Sequence, residues 1–190
     1  MRITGGRARG IPLVAPKGDA VRPATDGLRQ AVFSSIGHRV PGARFLDLFA
    51  GSGAYGLEAL SRGAAGGAWV EKNRQAAECI RKNVAAVAKS LGGGAGEAEI
   101  VTADATTAPW PLAGNGPDLV FIDPPYEIIE TVAPGLFARL GELLAPHPDP
   151  LVVFEMPGEI ELAPDGWTCV KRLGKGAHQP SVGFFLRAAT

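Results

Sequence analysis

From Arg44 onward the chain repeats one alternation: an apolar run of strand length, a turn, then a stretch with helical period. "RFLDLFA" reads as a first strand, followed by a glycine turn and a helix through "YGLEALSRG". "GAWVE" is a second strand, and a long helix from Asn73 to about Leu91 follows it. After the surface loop "GGGAGEA", "EIVTAD" and "DLVFID" supply a third and a fourth strand. A helix over roughly Thr131 to Leu144 then leads to a fifth strand, "PLVVFE". Apolar strands separated by helices bury both faces of a sheet only when the strands run mostly parallel and helices cover each side. The tail breaks the rhythm. "WTCVKRLG" and "SVGFFLR" follow one another without a helix, which predicts an antiparallel pair at the sheet edge. The fold class is therefore α/β, a mostly parallel sheet of seven strands with an antiparallel C-terminal pair.

The segment before Arg44 lies outside that pattern and predicts a small extension, residues 1–43, ahead of a main domain over 44–190. Arg2 to Pro16 reads as two short extended pieces, around Ile3 and Leu13-Val14, joined through "GGRARG" into a hairpin. Thr25 can cap a helix in which Leu28, Val32 and Ile36 share one face, ending near Gly37; Arg29 and Gln30 are expected to point elsewhere. A length of 190 residues suits one domain with such an appendage. Charge is segregated although the formal net is zero. Residues 1–44 carry eight Lys/Arg against two acids, and residues 171–190 carry four Lys/Arg and no acid, so the middle carries the compensating negative charge. Basic ends on an acidic body suit an anionic partner.

Several classes of function are disfavoured. No apolar signal core opens the sequence and no run is long enough to span a membrane, so the expectation is a cytoplasmic protein with no membrane partner. Cys79 and Cys169 lack metal-ligand spacing and read as reduced thiols, and His38, His147 and His178 stand far apart as surface or loop residues. No metal is expected. Trp69, Trp110 and Trp167 read as packing residues, and a monomer is the plain expectation.

Ligands of such sheets sit at the carboxyl ends of the strands. After the first strand, Gly51, Gly53 and Gly56 spell G-x-G-x-x-G between strand and helix, and Glu71 closes the second strand twenty residues after Gly51. The glycines let backbone approach a ligand, the helix start offers unpaired N–H groups, and the carboxylate can accept both hydroxyls of a ribose. A nicotinamide enzyme predicts the same two features. Three details favour S-adenosylmethionine as cofactor. Asp47 puts an acid inside the first strand, suited to a cationic ligand or an amino group. Asp104 ends the third strand where an adenine edge would lie. The fourth strand ends in "DPPY", which hydride transfer does not require.

"DPPY" has a chemical reading of its own. An exocyclic amine on a base is a poor nucleophile because its lone pair is delocalised into the ring. Asp123 can accept one N–H and the Pro124 carbonyl the other, which aims the lone pair at a methyl group. The two prolines fix that carbonyl's direction, and Tyr126 offers a face for an extruded base. Glu155, ending the fifth strand, either faces the site or lies on the surface.

"DLFAGSGAYGLEALSRGA", "DPPY" and above all "RITGGRARG" followed by "RPATDGLRQAVFSSIG" resemble the RsmD-type methyltransferases, over nearly the whole chain from Arg2 to Phe185. That resemblance implies the Rossmann-like class I methyltransferase fold and transfer of a methyl group from S-adenosylmethionine to the N2 of a guanine in bacterial 16S rRNA, in the small ribosomal subunit. It also implies that Asp47, Phe49, Gly51, Gly53, Glu71, Lys72, Asp104 and Ala105 bind the cofactor, and that Asp123, Pro124 and Tyr126 hold the guanine. Arg7, Arg9, Arg22 and Arg29 are the expected phosphate contacts. Gln30 stands where such proteins commonly have a glutamate, and "GKGAHQPSVGFF" departs from their pattern. "DPPY" is shared with DNA adenine-N6 methyltransferases, for which 190 residues leave little room for a target-recognition domain. A nicotinamide oxidoreductase and a non-catalytic RNA-binding assembly factor are the other readings.

Overall fold

Five strands run parallel in the computed structural model, which describes residues 1–16, 25–94, 96–111, 116–174 and 176–188. These are β1 (Arg44–Leu48), β2 (Gly66–Val70), β3 (Glu97–Val101), β4 (Leu119–Ile122) and β5 (Leu151–Pro157). Two more, β6 (Trp167–Leu173) and β7 (Pro180–Arg187), complete a seven-stranded sheet in the order β3-β2-β1-β4-β5-β7-β6. The expected antiparallel pair is present, with β7 inserted beside β5 and β6 left at the edge. The burial pattern explains that order: β7 is buried along most of its length, whereas Thr168 to Lys171 of β6 are exposed. A bulge between Cys169 and Lys171 interrupts the β6 ladder. Such a bulge re-aims an open edge and discourages further pairing.

Among the described residues four α-helices cover the faces: α1 (Asp26–Ser35), α2 (Ala54–Ser61), α3 (Arg74–Ser90) and α4 (Ile129–Leu143). Thr25 caps α1 by accepting from Leu28 N–H at 3.2 Å. Asn73 caps α3 through Gln75 and Ala76 N–H groups at 2.8 and 3.1 Å. Side chains alternate between faces along each strand. Phe45, Trp69, Leu119, Phe121 and Val153 therefore pack with Phe33, Leu57 and Ile80 of α1, α2 and α3. Leu46, Leu48, Val120, Ile122 and Phe154 pack on the other face with Leu136, Phe137 and Leu140 of α4. No helix of the described residues is long and apolar enough to cross a membrane.

The amino-terminal hairpin is narrow, with one bridge, Arg2 to Pro12, and Ile3 exchanging hydrogen bonds with Ile11 and Gly10. Ile3, Ala8, Val32 and Phe33 join the same cluster as the sheet, so residues before Arg44 share its core. "GGRARG" is clamped to the end of α2. Arg7 N–H donates to the Ser61 carbonyl at 2.7 Å, and Ala8 N–H to the Ser61 hydroxyl at 2.9 Å. Gly6 has φ +77°, and a Cβ there would lie 2.1 Å from the Ser61 carbonyl oxygen, so only glycine permits the contact.

Candidate active site

The strand order reverses between β1 and β4, which opens a crevice outside their carboxyl ends. Four carboxylates stand along that edge. Ile122 pairs with both Leu48 and Phe154, so the next residues, Asp123 and Glu155, lie abreast. Asp47 pairs with Trp69 and Phe121, one step below, and Glu71 follows the end of β2. Asp47, Glu71, Asp123 and Glu155 each lie two residues beyond Phe45, Trp69, Phe121 and Val153, which all face α1, α2 and α3. The period-two alternation of a strand therefore sends the four acids to that one face. Asp123 N–H donates to the Leu48 carbonyl at 3.3 Å and so extends the β1–β4 pairing up to "DPPY".

Glu71 organises the glycine turn. Its Oε2 accepts from Gly51 N–H at 2.8 Å and its Oε1 from Asn73 N–H at 2.7 Å. One carboxylate thus ties the turn after β1 to the start of α3. The turn is left-handed at Gly51 (φ +54°), Gly53 (φ +77°) and also Phe49 (φ +57°). A bulky residue at positive φ is strained, and such strain concentrates at functional sites. Gly56 serves packing instead: a Cβ there would lie 2.4 Å from the Phe45 ring and 2.5 Å from Trp69 Nε1. Its N–H also donates to Asp47 Oδ2 at 3.0 Å.

Asp104 shapes the loop after β3, its Oδ1 accepting from the Thr106 N–H at 2.9 Å and hydroxyl at 2.6 Å. The carbonyl of buried Ala105 accepts from Trp110 Nε1 at 2.9 Å, and Arg139 of α4 lies over the Trp110 ring at 3.8 Å. Lys72 is exposed beside this loop. Pro124 is buried, while Tyr126 and Phe49 are partly buried against the α4-side core, at the ends of neighbouring strands.

Electrostatics separate these acids into two kinds. Burial pushes Asp47 up to about 8, and the charge of Glu71 adds to that, against the Gly56 hydrogen bond. Burial likewise pushes Glu155 up to about 7, opposed by the Tyr55 hydroxyl and by Arg29. Asp123 is driven well above the carboxylate range by burial and then by Glu155 and Asp47. Asp104 is held below its ordinary value, chiefly by its two Thr106 hydrogen bonds. A largely buried row of mutually repelling carboxyl groups is relieved by a bound cation, so this donor set fits a ligand with a positive centre. Among the described residues no three His, Cys, Asp or Glu side chains converge closely enough to hold a metal ion.

Of the arginines expected at phosphates, Arg7 and Arg9 are exposed on the hairpin, and Arg22 lies outside the described residues. Arg29 requires a correction: it is 0% exposed. Its Nε donates to buried Glu58 at 3.3 Å, and its Nη2 to Asp26 at 2.8 Å and to the Arg2 carbonyl. Glu58 also accepts from Thr4 N–H and hydroxyl, both at 2.8 Å, and from Arg62 at 2.9 Å. Arg29 is thus the internal cation that ties hairpin, α1 and α2 together. Removing one partner of such a buried pair typically costs about 3–5 kcal/mol. The sequence leaves Glu155 undecided between site and surface, and it does not single out Tyr55. Glu155 is buried, and Tyr55 donates to its Oε2 at 2.8 Å. The only sequence signal for Tyr55 is its position inside the glycine motif.

The family model described as "Conserved hypothetical protein 95" matches residues 1–182. The chain is 40% identical over 128 residues to "Ribosomal RNA small subunit methyltransferase D" of Escherichia coli, covering 66% of this chain and 60% of that protein. A solved Escherichia coli chain, yhhF, described as a candidate methyltransferase, superposes with a TM-score of 0.78 at 31% identity, covering 100% of this chain and 99% of that one. An RNA methyltransferase from Salinibacter ruber, solved with S-adenosyl-L-homocysteine, shares the fold at a TM-score of 0.62 and 16% identity, over 87% of this chain and 93% of that one. The fold is that of the Rossmann-like class I methyltransferases.

Proposed function

Because the chain belongs to the Conserved hypothetical protein 95 family, we propose that it is an S-adenosylmethionine-dependent RNA methyltransferase. Its acceptor is the exocyclic N2 of a guanine in bacterial 16S rRNA, within the small ribosomal subunit. The observation that carries this reading is the acidic row at the strand reversal, ending in Asp123-Pro124-Pro125-Tyr126. The name of the Escherichia coli relative supports the RNA substrate. The amino-terminal block, rather than "DPPY", supports guanine over adenine.

S-adenosylmethionine, when bound, supplies an electrophilic methyl group on a sulfonium centre. Asp47 and the glycine turn at Gly51 and Gly53 are the groups for its amino-acid end, with Phe49 at the same turn. Glu71 and Lys72 would meet the ribose, and Asp104 and Ala105 the adenine. Glu71 can serve while holding the turn, because each carboxylate oxygen accepts more than one hydrogen bond. Asp123 and the Pro124 carbonyl each accept a hydrogen bond from one amine N–H and hold the nitrogen lone pair in line, with Tyr126 against the ring. Such positioning of two reactants can supply roughly 7–11 kcal/mol of a barrier.

The test is direct. With labelled S-adenosylmethionine and unmodified small-subunit rRNA or particles, mass spectrometry of the nucleosides is expected to find N2-methylguanosine. N6-methyladenosine would overturn the base, and preference for duplex DNA would overturn the RNA. Tight binding of a nicotinamide dinucleotide without S-adenosylmethionine binding would overturn the cofactor, and absence of any methylated product would overturn the enzyme.

Arg7 and Arg9 are exposed on a hairpin whose backbone is pinned to α2, so they offer positive charge at a fixed place. Replacing both with alanine is expected to weaken RNA binding and to lower the slope of log affinity against log salt by roughly 0.7–0.9 per lost phosphate contact. Binding isotherms at a series of salt concentrations measure that slope, and an unchanged slope removes both residues from the RNA interface.

A further inference from the structure

Glu155 and Tyr55 lie beside the reacting end of the site, and the reading above leaves both without a task. Glu155 stands abreast of Asp123 on the same sheet face, one residue past the Ile122–Phe154 pair. Neighbouring strands at that point are about 4.8 Å apart. Glu155 is 2% exposed, and the Tyr55 hydroxyl donates to its Oε2 at 2.8 Å. Tyr55 is fixed in turn, its ring stacked on Phe121 with centroids 5.2 Å apart. The groups that face Glu155 are few. Asp123 faces it from β4 and Tyr55 from α2; Arg29 acts on both Tyr55 and Glu155 from α1; β7 presents apolar Val182. Two carboxyl groups so placed, one buried and one half-buried, cannot both ionise without strong repulsion.

We propose that Asp123 and Glu155 form a one-proton dyad, in which Glu155 is the positioning residue that receives, by way of Asp123, the proton shed by the methylated amine. The proposal rests on the methyl-transfer reading. The step balances as follows. The N–CH3 bond forms as the S–CH3 bond breaks, with its electron pair remaining on sulfur, and the amine nitrogen is left positively charged. One N–H proton passes to the Asp123 oxygen that faces the amine, and the proton already shared settles on Glu155. Before transfer, the dyad carries one negative charge opposite the sulfonium; afterwards both are neutral. The enclosed site therefore never holds an uncompensated charge, which a low-dielectric cavity would penalise heavily. Tyr55 holds Glu155 in place and favours its charged form before the proton arrives.

Two measurements on the full-length protein test the dyad. In the ligand-free protein, carbon-13 NMR of labelled carboxyl groups is expected to find Asp123 titrating at a pH far above an ordinary aspartate. In Glu155→Gln that titration moves to lower pH, because the neighbouring negative charge is gone. Single-turnover methyl transfer should rise with pH through a limb near 7, where Glu155 ionises. Glu155→Gln should lower the plateau roughly 100-fold, the lower end of the scale typical of a lost proton-transfer group, and shift the limb to lower pH. If that variant does not fold, Tyr55→Phe removes only the hydroxyl that lowers Glu155, and the limb should then move to higher pH. A wild-type protein that methylates RNA while Asp123 titrates alike with and without Glu155 overturns the dyad alone. A wild-type protein that transfers no methyl group overturns the function, and the dyad with it.

Discussion

Asp123→Ala is expected to lower the rate of methyl transfer roughly 10²–10³-fold while leaving the fold and the RNA affinity nearly intact, the scale seen when one preorganised polar partner of a transition state is removed. The alanine leaves the Pro124 carbonyl as the remaining acceptor of the pair assigned to the amine, so the nitrogen lone pair is no longer held in line. The second half of the prediction separates a catalytic role from a structural one. In the ligand-free protein Asp123 is a burden on the fold, because burial, Glu155 and Asp47 all oppose its charged form. Its removal should leave the melting temperature at neutral pH equal to or above that of the wild type. Single-turnover kinetics, RNA binding and thermal melts on one preparation check the three parts together. An active variant would refute the role given to Asp123. An inactive variant that also melts early or loses RNA would mean that the aspartate supports the fold.

The architecture was legible from Arg44 onward because apolar runs such as Leu119–Ile122 and residues 151–154 mark strands and each helix between strands has its own period. β4 illustrates this, with Asp123 directly at its tip, whereas β5 runs two residues beyond the expected end, to Pro157, so that Glu155 lies inside it. Contacts between segments far apart in the chain were not legible. Arg29 reads as a helix arginine free to face solvent, because its partner Glu58 is 29 residues away on another helix. A single chain of letters carries no sign of that pairing, and the burial of one charge is inexplicable without the other. Tyr55 and Glu155 are separated by 100 residues and meet because the Tyr55 side chain reaches from α2 across Phe121 of β4 to β5. The two glycines of "GGRARG" read as a turn, yet Gly6 is also a contact, set against the carbonyl of Ser61. For the antiparallel pair, the sequence predicted the two strands and their antiparallel pairing. Which of them touches β5 depends on burial on both faces, where the run in β7 outdoes that in β6.

The ligand-free protein is expected to lose stability as the pH rises from about 5 to about 8, contrary to the usual gain of carboxylate-rich proteins over the acid half of that range. The folded-state values of Asp47 and Glu155 are raised to about 8 and about 7. Their unfolded values lie near 3.9 and 4.3. Between these limits the folded chain binds more protons than the unfolded chain, so the free energy of unfolding falls as pH rises. The loss starts above the unfolded values and levels off once both folded groups have ionised. A raised value is worth about 1.4 kcal/mol per pH unit, so two buried groups can account for a loss on the order of several kcal/mol. Asp104 and Asp26 act in the opposite sense, since their folded values are lowered. Their contribution is present above the unfolded value and disappears below it, which confines it to the acid end of the profile. Urea melts at intervals across this range measure the slope, and a flat or rising profile would refute the description of the acidic row. Asp47→Asn should flatten its upper part, because the amide has no proton to lose. Saturating S-adenosylmethionine should flatten it further than S-adenosylhomocysteine does, since only the former brings a sulfonium charge. Equal slopes with the two ligands would mean that the row answers to the amino group alone. The acids that make the empty site unstable would then be those that select its cation, which is why their removal should trade activity for stability.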